Sequence, residues 1–254
     1  MRRRAATISR QTQAGRLAVD GEDICVRGYM TLGPLLVFGL VTGLLWTATY
    51  ALIIARARRD KVYGMPVVAL CANLSWEVLN SFSEPIPGVV RPFPMVWLAF
   101  DAVIAWQTLK YGPAQFARLS KRVCYGFFGL ILVFAFVATL LLTNVFADYY
   151  RDHWALYVSF GDTLVMAALF LAMFYSRASM AGQSVPIAVG MLLGNLTPAL
   201  AWLLYPPPEI IGSTLQVCLI GGTFILNVLY VVVLVRFSGS CRNQRNGDRG
   251  PSAG

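Results

Sequence analysis

The chain has 254 residues, 57% hydrophobic and 13% charged, where a soluble domain carries about 25% charged residues. A mean hydropathy of +0.62 and repeated long apolar runs exclude an ordinary soluble fold and predict an all-α, polytopic membrane protein. The formal net charge of +9 lies in tails and short loops with no nucleic-acid motif, so it points to orientation in a bilayer and not to nucleic acid.

Residues 1–28 read as a flexible basic arm. Arg2, Arg3 and Arg4 are followed by no apolar core within signal-peptide distance, so no cleaved signal is expected. Spans of about 20 residues cross a hydrocarbon core, and seven are predicted, near 32–55, 64–82, 93–109, 125–146, 154–176, 184–205 and 211–236. Asp101 and Gln107 interrupt the third, which follows a Pro-rich link, EPIPGVVRPFP (84–94), that no helix would continue through. Pro34, Pro66 and Pro186 fall in first turns, where a missing N–H is harmless. Pro206, Pro207 and Pro208 end the sixth span, and Pro198 inside it predicts a kink. The Gly/Ser/Arg-rich stretch after Phe237 reads as disordered. The expected organisation is therefore an arm (1–28), a seven-helix membrane domain (29–237) and a tail (238–254).

Loop charges give the topology. Arg56, Arg58, Arg59 and Lys61 lie in the first loop, Lys110, Arg118, Lys121 and Arg122 in the third, Arg177 in the fifth, and Arg236, Arg242 and Arg245 after the last span. The even loops hold Arg91 and Arg151, offset by Glu84, Asp148, Asp152 and Glu209. The positive-inside rule then puts the N-terminus outside and the C-terminus in the cytoplasm of a multi-pass protein. Arg2–Arg4 are far from the first span, with Asp20, Glu22 and Asp23 between. No internal repeat is evident, which argues against a transporter of inverted halves. Gly39/Gly43 and Gly190/Gly194 are small pairs that let helices approach closely. The five cysteines are scattered, and the single histidine, His153, sits in a charged loop. Neither a disulfide framework nor a metal site is expected.

Polar residues inside the spans carry the functional signal. Glu77 lies in the apolar run Gly64–Phe82, where a charged group costs roughly 2.5–3.5 kcal/mol on insertion scales. Asn73, Glu77 and Asn80/Ser81 fall on one helical stripe. Trp97 precedes Asp101 by a turn, Asn195 and Trp202 share a face of the sixth span, and Thr223, Asn227 and Tyr230 share one of the seventh. At 1.5 Å per residue Glu77 lies about 8 Å from the outer end of its span, and Asp101 and Asp162 about 12–14 Å from theirs. Three acids thus converge on one polar spot, with Asn227 deeper. Away from water a carboxyl group favours its neutral form, and Trp or Tyr faces attract a developing cation. Acid plus aromatic lining suits carbocation chemistry. It suits equally a proton-coupled carrier or an amine-binding receptor. For Asp101 and Asp162 the plainer alternative is a helix-to-helix hydrogen bond, for Asn73 a packing amide that orients Glu77, and for Trp76 and Trp97 an interfacial anchor.

The string DKVYGMPVVALCANLSWEVLNSF (60–82) resembles the second-helix signature of the membrane-bound terpene cyclases of fungal meroterpenoid and indole-diterpene pathways, the paspaline and pyripyropene type. That pattern is a basic residue, Tyr-Gly-Met, then an apolar stretch ending in Asn-x-x-Trp-Glu. Lys61, Tyr63-Gly64-Met65, Asn73 and Trp76-Glu77 fit it. WLAFDAVIAWQTLKYGP (97–113) and SFGDTLVMAALF (159–170) extend the likeness across the spans. The resemblance implies a seven-helix cyclase that protonates a prenyl chain on an aromatic or indole group. Its acids correspond to Glu77 and to a seventh-span Asp, where this chain has Asn227. An amide cannot act as an acid, so the second acidic role is open or passes to Asp101 or Asp162. The Arg- and Ala-rich composition suggests the bacterial, indole-sesquiterpene branch.

Rival chemistries are weighed by absent motifs. No DDxxD or NSE-type string, no DxDD string and no aspartate-rich prenyltransferase repeat occurs. The expectation is acid-initiated cyclisation without metal or organic cofactor. Glu77, Asp101 and Asp162 are the catalytic candidates, and Asn73, Trp76, Trp97, Asn195, Trp202, Asn227 and Tyr230 the substrate-binding ones. The expected partners are a hydrophobic prenylated aromatic and the lipid bilayer, with no obligate protein partner. A seven-helix receptor or small-molecule transporter is the alternative. The seventh span contains no Lys for a retinal Schiff base.

Overall fold

The computed structural model describes residues 33–82, 92–116, 118–150, 155–206 and 213–247. Those residues form helices α1 (Gly33–Asp60), α2 (Val67–Phe82), α3 (Pro92–Gln115), α4 (Lys121–Tyr150), α5 (Leu156–Arg177), α6 (Val185–Leu204) and α7 (Thr214–Gly247), with no strand among them. Five of them, α1, α4, α5, α6 and the Thr214–Ser240 part of α7, are long and apolar enough to cross a membrane. The chain is therefore a multi-pass membrane protein. The remaining two differ in kind. The 16 residues of α2 span only about 24 Å, less than a hydrocarbon core of about 30 Å. The 24 residues of α3 are long enough, but Asp101, Gln107 and Lys110 dilute their apolar character.

The short helix is the central one. It packs against α3, α4 and α5 and is tied to α1 by the Asn73–Tyr50 hydrogen bond. Its consecutive residues Ala69, Leu70 and Cys71 are all fully buried. Such residues point about 100° apart around a helix, so α2 is covered on more than one side. A helix wrapped by others need not reach both membrane faces itself. By contrast α4 buries only Ala135 and Thr139 and turns large residues such as Phe127, Leu130, Val133 and Phe134 outward, the surface expected against lipid.

Small residues set the remaining packing. Gly190 and Gly194 of α6 lie on Thr49 and Trp46 of α1, so near that a Cβ on Gly194 would come within 2.9 Å of the Trp46 Nε1. Gly43 meets the Phe93 ring of α3 in the same way. The close approach expected of the small pairs is thus a contact within one chain.

The loops α1–α2, α3–α4 and α5–α6 meet at one end of the bundle, here called the basic end. Arg177 donates to the carbonyl oxygens of Ala181 (2.9 Å) and Tyr63 (3.1 Å) and to Gln115 Oε1 (3.0 Å). Its guanidinium also lies 4.0 Å from the Tyr63 ring centre, and that ring stacks on Phe116. Arg56 pairs with Asp60 at 2.7 Å and donates to the Met180 carbonyl, while Asp60 accepts from the Gly182 N–H at 2.9 Å. Gly182 has φ +75°, and a Cβ there would lie 2.8 Å from the Tyr63 carbonyl oxygen. The Tyr-Gly-Met string now has a physical reason. The Tyr63 carbonyl is a bond acceptor, Gly64 packs on Ile53 and Ala57 of α1, and Met65 is core.

Helix boundaries depart from the sequence reading. α1 runs to Asp60 and not 55, α2 starts at Val67 and not 64, and α3 continues to Gln115 and not 109, across Pro113. The α7 helix runs to Gly247, into the segment after Phe237 expected to be disordered. Apolar runs mark the hydrocarbon core, and helices continue past it wherever polar residues still make their i to i−4 bonds; Ser240 returns its hydroxyl to the Arg236 carbonyl there. The arm at 1–28, the link around 84–91, His153 and Pro207–Pro208 lie outside the described residues.

Replacing Gly190 by Val forces α6 off Thr49. A loss of about 1–3 kcal/mol is expected from such overpacking. It should appear as a lower thermal midpoint in detergent, whereas Gly126→Ala on α4, whose Cβ would meet nothing, should match the parent chain.

Candidate active site

Two groups of buried polar side chains lie within the bundle. The first surrounds Glu77, which is 1% exposed on central α2. Its neighbours are Asp101 of α3 and Asp162 of α5, close enough for the three carboxyl charges to act on one another. Asp101 is fully buried. Asp162 is half-buried as a residue, but its Oδ1 is shielded from solvent. Glu77 Oε2, Asp101 Oδ1 and Asp162 Oδ1 have no hydrogen-bond partner among the described residues. No three His, Cys, Asp or Glu side chains there come together as a metal-ligand group.

Asn73 organises this group. Its Nδ2 donates to Tyr50 Oη at 2.5 Å and to Asp101 Oδ2 at 2.6 Å. One amide thus joins α1, α2 and α3 and fixes one face of the Asp101 carboxyl, leaving the other oxygen free. Asn73 lies one turn before Glu77, so the amide that holds Asp101 is placed on the same helix as the second acid. Tyr50 packs between Trp46 and Phe100, with ring centres 5.8 and 6.1 Å away. Tyr50 is a functional candidate that the sequence did not single out. The available signal was the i, i+4 pair Trp46/Tyr50 in the first span.

The predicted aromatics divide. Trp76, beside Glu77, keeps a buried Nε1 without a partner among the described residues. Trp97 donates its Nε1 to Thr47 Oγ1 at 3.1 Å and packs on Phe93, so it fastens α3 to α1. Trp202 packs against the cluster of Leu156, Tyr157, Phe160, Ala199 and Ile220. Tyr230 is fully buried on Phe170 and its hydroxyl is bonded to Gln183 Oε1 at 3.1 Å. That hydroxyl is taken up by the segment before α6, a long-range partner that helical spacing cannot reveal.

The second group lies between α5, α6 and α7. Asn195, Thr223 and Asn227 line a cavity of about 260 Å³ together with Phe160 and aliphatic side chains. None of the three acids is in its lining. The single polar spot expected from sequence is therefore an acid group and an amide group, and α5 contributes Asp162 to one and Phe160 to the other. A larger opening of about 630 Å³ between α1 and α3, bordered by Arg58, Arg59 and Phe100, is a shallow surface groove that holds none of the predicted site residues.

Glu77, Asp101 and Asp162 thus come from three helices, α2, α3 and α5. The family of Pyr4-like transmembrane terpene cyclases matches residues 29–240. The chain belongs to that family. A relative named Pyr4-family terpene cyclase mfmH, from Annulohypoxylon moriforme, is 32% identical over 176 residues, covering 67% of this chain and 71% of that protein. Terpene cyclase macJ from Penicillium terrestre is 27% identical over 210 residues, covering 77% and 80%. Terpene cyclase penB from Penicillium crustosum is 25% identical over 234 residues, covering 84% and 93%. These relatives are fungal, and they lend no support to the bacterial branch expected from composition.

Asn73→Leu keeps the volume but strands Tyr50 Oη and Asp101 Oδ2. A loss of about 1–3 kcal/mol is expected for the unpaired buried groups, seen as a lower unfolding midpoint in detergent. Tyr50→Phe removes one bond only and should lose less. Equal stability of Asn73→Leu and the parent chain would show that the amide does not bridge the helices.

Proposed function

We propose that the chain is a membrane terpene cyclase that starts ring closure by protonating the terminal olefin or epoxide of a prenylated aromatic, with farnesyl-indole as the favoured substrate class. The observation that carries this reading is Glu77. It is buried at 1% exposure on the central helix, near two further carboxyl groups, and its Oε2 meets no donor among the described residues. A dry carboxylic acid so placed is a general acid held ready for a weakly basic carbon or oxygen.

In the proposed reaction the neutral Glu77 carboxyl gives its proton to the alkene carbon or epoxide oxygen. The electrons of the attacked bond leave a tertiary cation. Neighbouring alkenes close on it in turn, and the last cation loses a proton from carbon to a carboxylate. Substrate and product are isomers, so neither an oxidant nor a cofactor enters the balance. Asp101 or Asp162 serves as the final base. Asp101 has one oxygen held by Asn73 and the other free, an arrangement that aims a fixed acceptor. Aromatic faces near the acids, Trp76 among them, stabilise the passing cation. Trp97, Trp202 and Tyr230 shape the walls through packing. Asn227 stands where the resembling cyclases place their second acid and cannot donate as one.

The reading includes seven crossings with the basic end in the cytoplasm, α2 and α3 being carried through the bilayer by the helices around them. No observation favours a receptor or carrier over the family's chemistry.

The test uses a host without terpenoid pathways, supplied with farnesyl-indole and its terminal epoxide. Products of unchanged mass with new rings are expected. Glu77→Gln, checked for membrane insertion and thermal stability, should lower turnover by about 10²–10⁴-fold, the usual worth of a positioned acid. Turnover by Glu77→Gln at the parent rate would remove Glu77 as the acid. Asp101→Asn and Asp162→Asn then show which carboxyl recovers the proton.

A further inference from the structure

The acid chemistry leaves the amide-lined cavity unused. Thr223 and Asn227, a turn apart on α7, are 3% and 0% exposed, and Asn195 of α6 is 6% exposed. Asn227 Nδ2 donates to the Thr223 carbonyl oxygen at 2.9 Å. That bond fixes the amide and leaves Oδ1 as its free end. Neither this oxygen, the Thr223 hydroxyl, nor either amide atom of Asn195 has a partner among the described residues. Lipid offers such groups nothing to bond. Three polar side chains from α6 and α7 thus bring unbonded atoms to the lining of one cavity.

The lining restricts the ligand. It contains no Asp, Glu, Lys or Arg, so a charged group would be buried unpaired. Asn227 Oδ1 and Asn195 Oδ1 are acceptors that an N–H or O–H of the ligand would meet, while Asn195 Nδ2 and the Thr223 hydroxyl can donate to an acceptor beside it. Phe160 supplies a ring wall. Leu200, Leu203 and Phe224, which also line the cavity, are exposed, so it opens sideways to the bilayer. Its volume of about 260 Å³ falls below the roughly 300–1,000 Å³ of a complete ligand pocket, so it fits one part of a larger molecule. α5 takes part in both groups, with Phe160 in the cavity lining and Asp162 among the acids.

We propose that this cavity is the head-group subsite: it binds the neutral, flat, hydrogen-bond-donating ring of the substrate, which enters from the lipid, while the prenyl chain extends past α5 to the acids. The proposal rests on the cyclase reading for the identity of the chain that follows the ring. It gives Asn227 a recognition role in place of an acidic one.

The experiment measures binding and turnover separately on the full chain in nanodiscs. The probes are 3-farnesylindole and its N-methyl analogue, which keeps the shape and loses the donor. Binding is read by tryptophan fluorescence or by a ligand-induced shift in melting. The parent chain should bind the N–H probe at least tenfold more tightly. Asn195→Leu and Asn227→Leu should each erase that preference, weakening the N–H probe about tenfold and the N-methyl probe less than twofold. Thr223→Val gives a third, smaller change of the same sign. Equal binding of the two probes by the parent chain overturns the subsite, as does equal weakening of both in the variants. If the leucine variants do not fold, the comparison of the two probes on the parent chain decides alone. A donor preference without cyclic product sinks the cyclase reading and leaves the subsite. Cyclic product without donor preference does the reverse.

Discussion

The structure depends on shielding the polar side chains of one short helix from both lipid and water. α2 carries Asn73, Ser75 and Glu77, all buried, on a segment too short to cross alone. In hydrocarbon an unmet polar group is so unfavourable that only a surrounding protein shell makes such a helix tolerable. α1, α3, α4 and α5 provide the shell, each meeting α2 by packing or by a hydrogen bond. The same shell excludes the water that would otherwise solvate Glu77 and weaken every electrostatic effect at the site. Stability and chemistry therefore make the same demand. The helix that most needs to be covered is the one that carries the proposed acid, which would work only when covered.

The basic end explains how the shell is held. Arg177 and Arg56 look in sequence like topology charges, and the structure spends both on carbonyl oxygens of other loops. Hydrogen bonds of charged donors are stronger than neutral ones, and here they join α1–α2, α3–α4 and α5–α6 into one clasp. Gly182 makes the closest approach possible, since any side chain there would meet the Tyr63 carbonyl. With that end tied by side chains, the cavity between α6 and α7 opens laterally instead, through exposed leucines on helices long and apolar enough to lie in lipid.

Much of the site was legible because charge in an apolar run is conspicuous at any distance. Glu77, Asp101 and Asp162 could be named from their surroundings in the chain, and the structure brings the three near enough for their charges to act on one another. Gly190 and Gly194 were legible by spacing, though not their partners Thr49 and Trp46. What sequence could not supply was pairing. The Asn73 amide reaches Tyr50 and Asp101, 23 and 28 residues away, and Tyr230 reaches Gln183, 47 residues away; no periodicity encodes either. Boundaries failed for a related reason. Hydropathy sees where lipid is, whereas a helix ends where its backbone bonds end, as at Lys61, whose positive φ turns the chain out of α1.

The division between acids and amides is the remaining step. A carboxyl group can move a proton, but in a dry site it interacts strongly with every other charge nearby. An amide can neither gain nor lose a proton under mild conditions, and it offers an NH2 donor and a carbonyl acceptor in fixed geometry. An enzyme that must hold a ring still while a cation forms farther along the same molecule gains from separating these tasks. Fixed neutral dipoles at the ring neither quench the cation nor draw the proton away. Titratable groups belong beside the chain, where charge appears. Asn195, Thr223 and Asn227 line a cavity that contains none of Glu77, Asp101 and Asp162, which act on one another elsewhere in the bundle. An Asp in place of Asn227 would put a carboxyl group into a cavity whose lining contains no cation to meet it. The amide at that position is thus consistent with its surroundings, and those surroundings give a physical reason for this chain to do without an acid on its last helix.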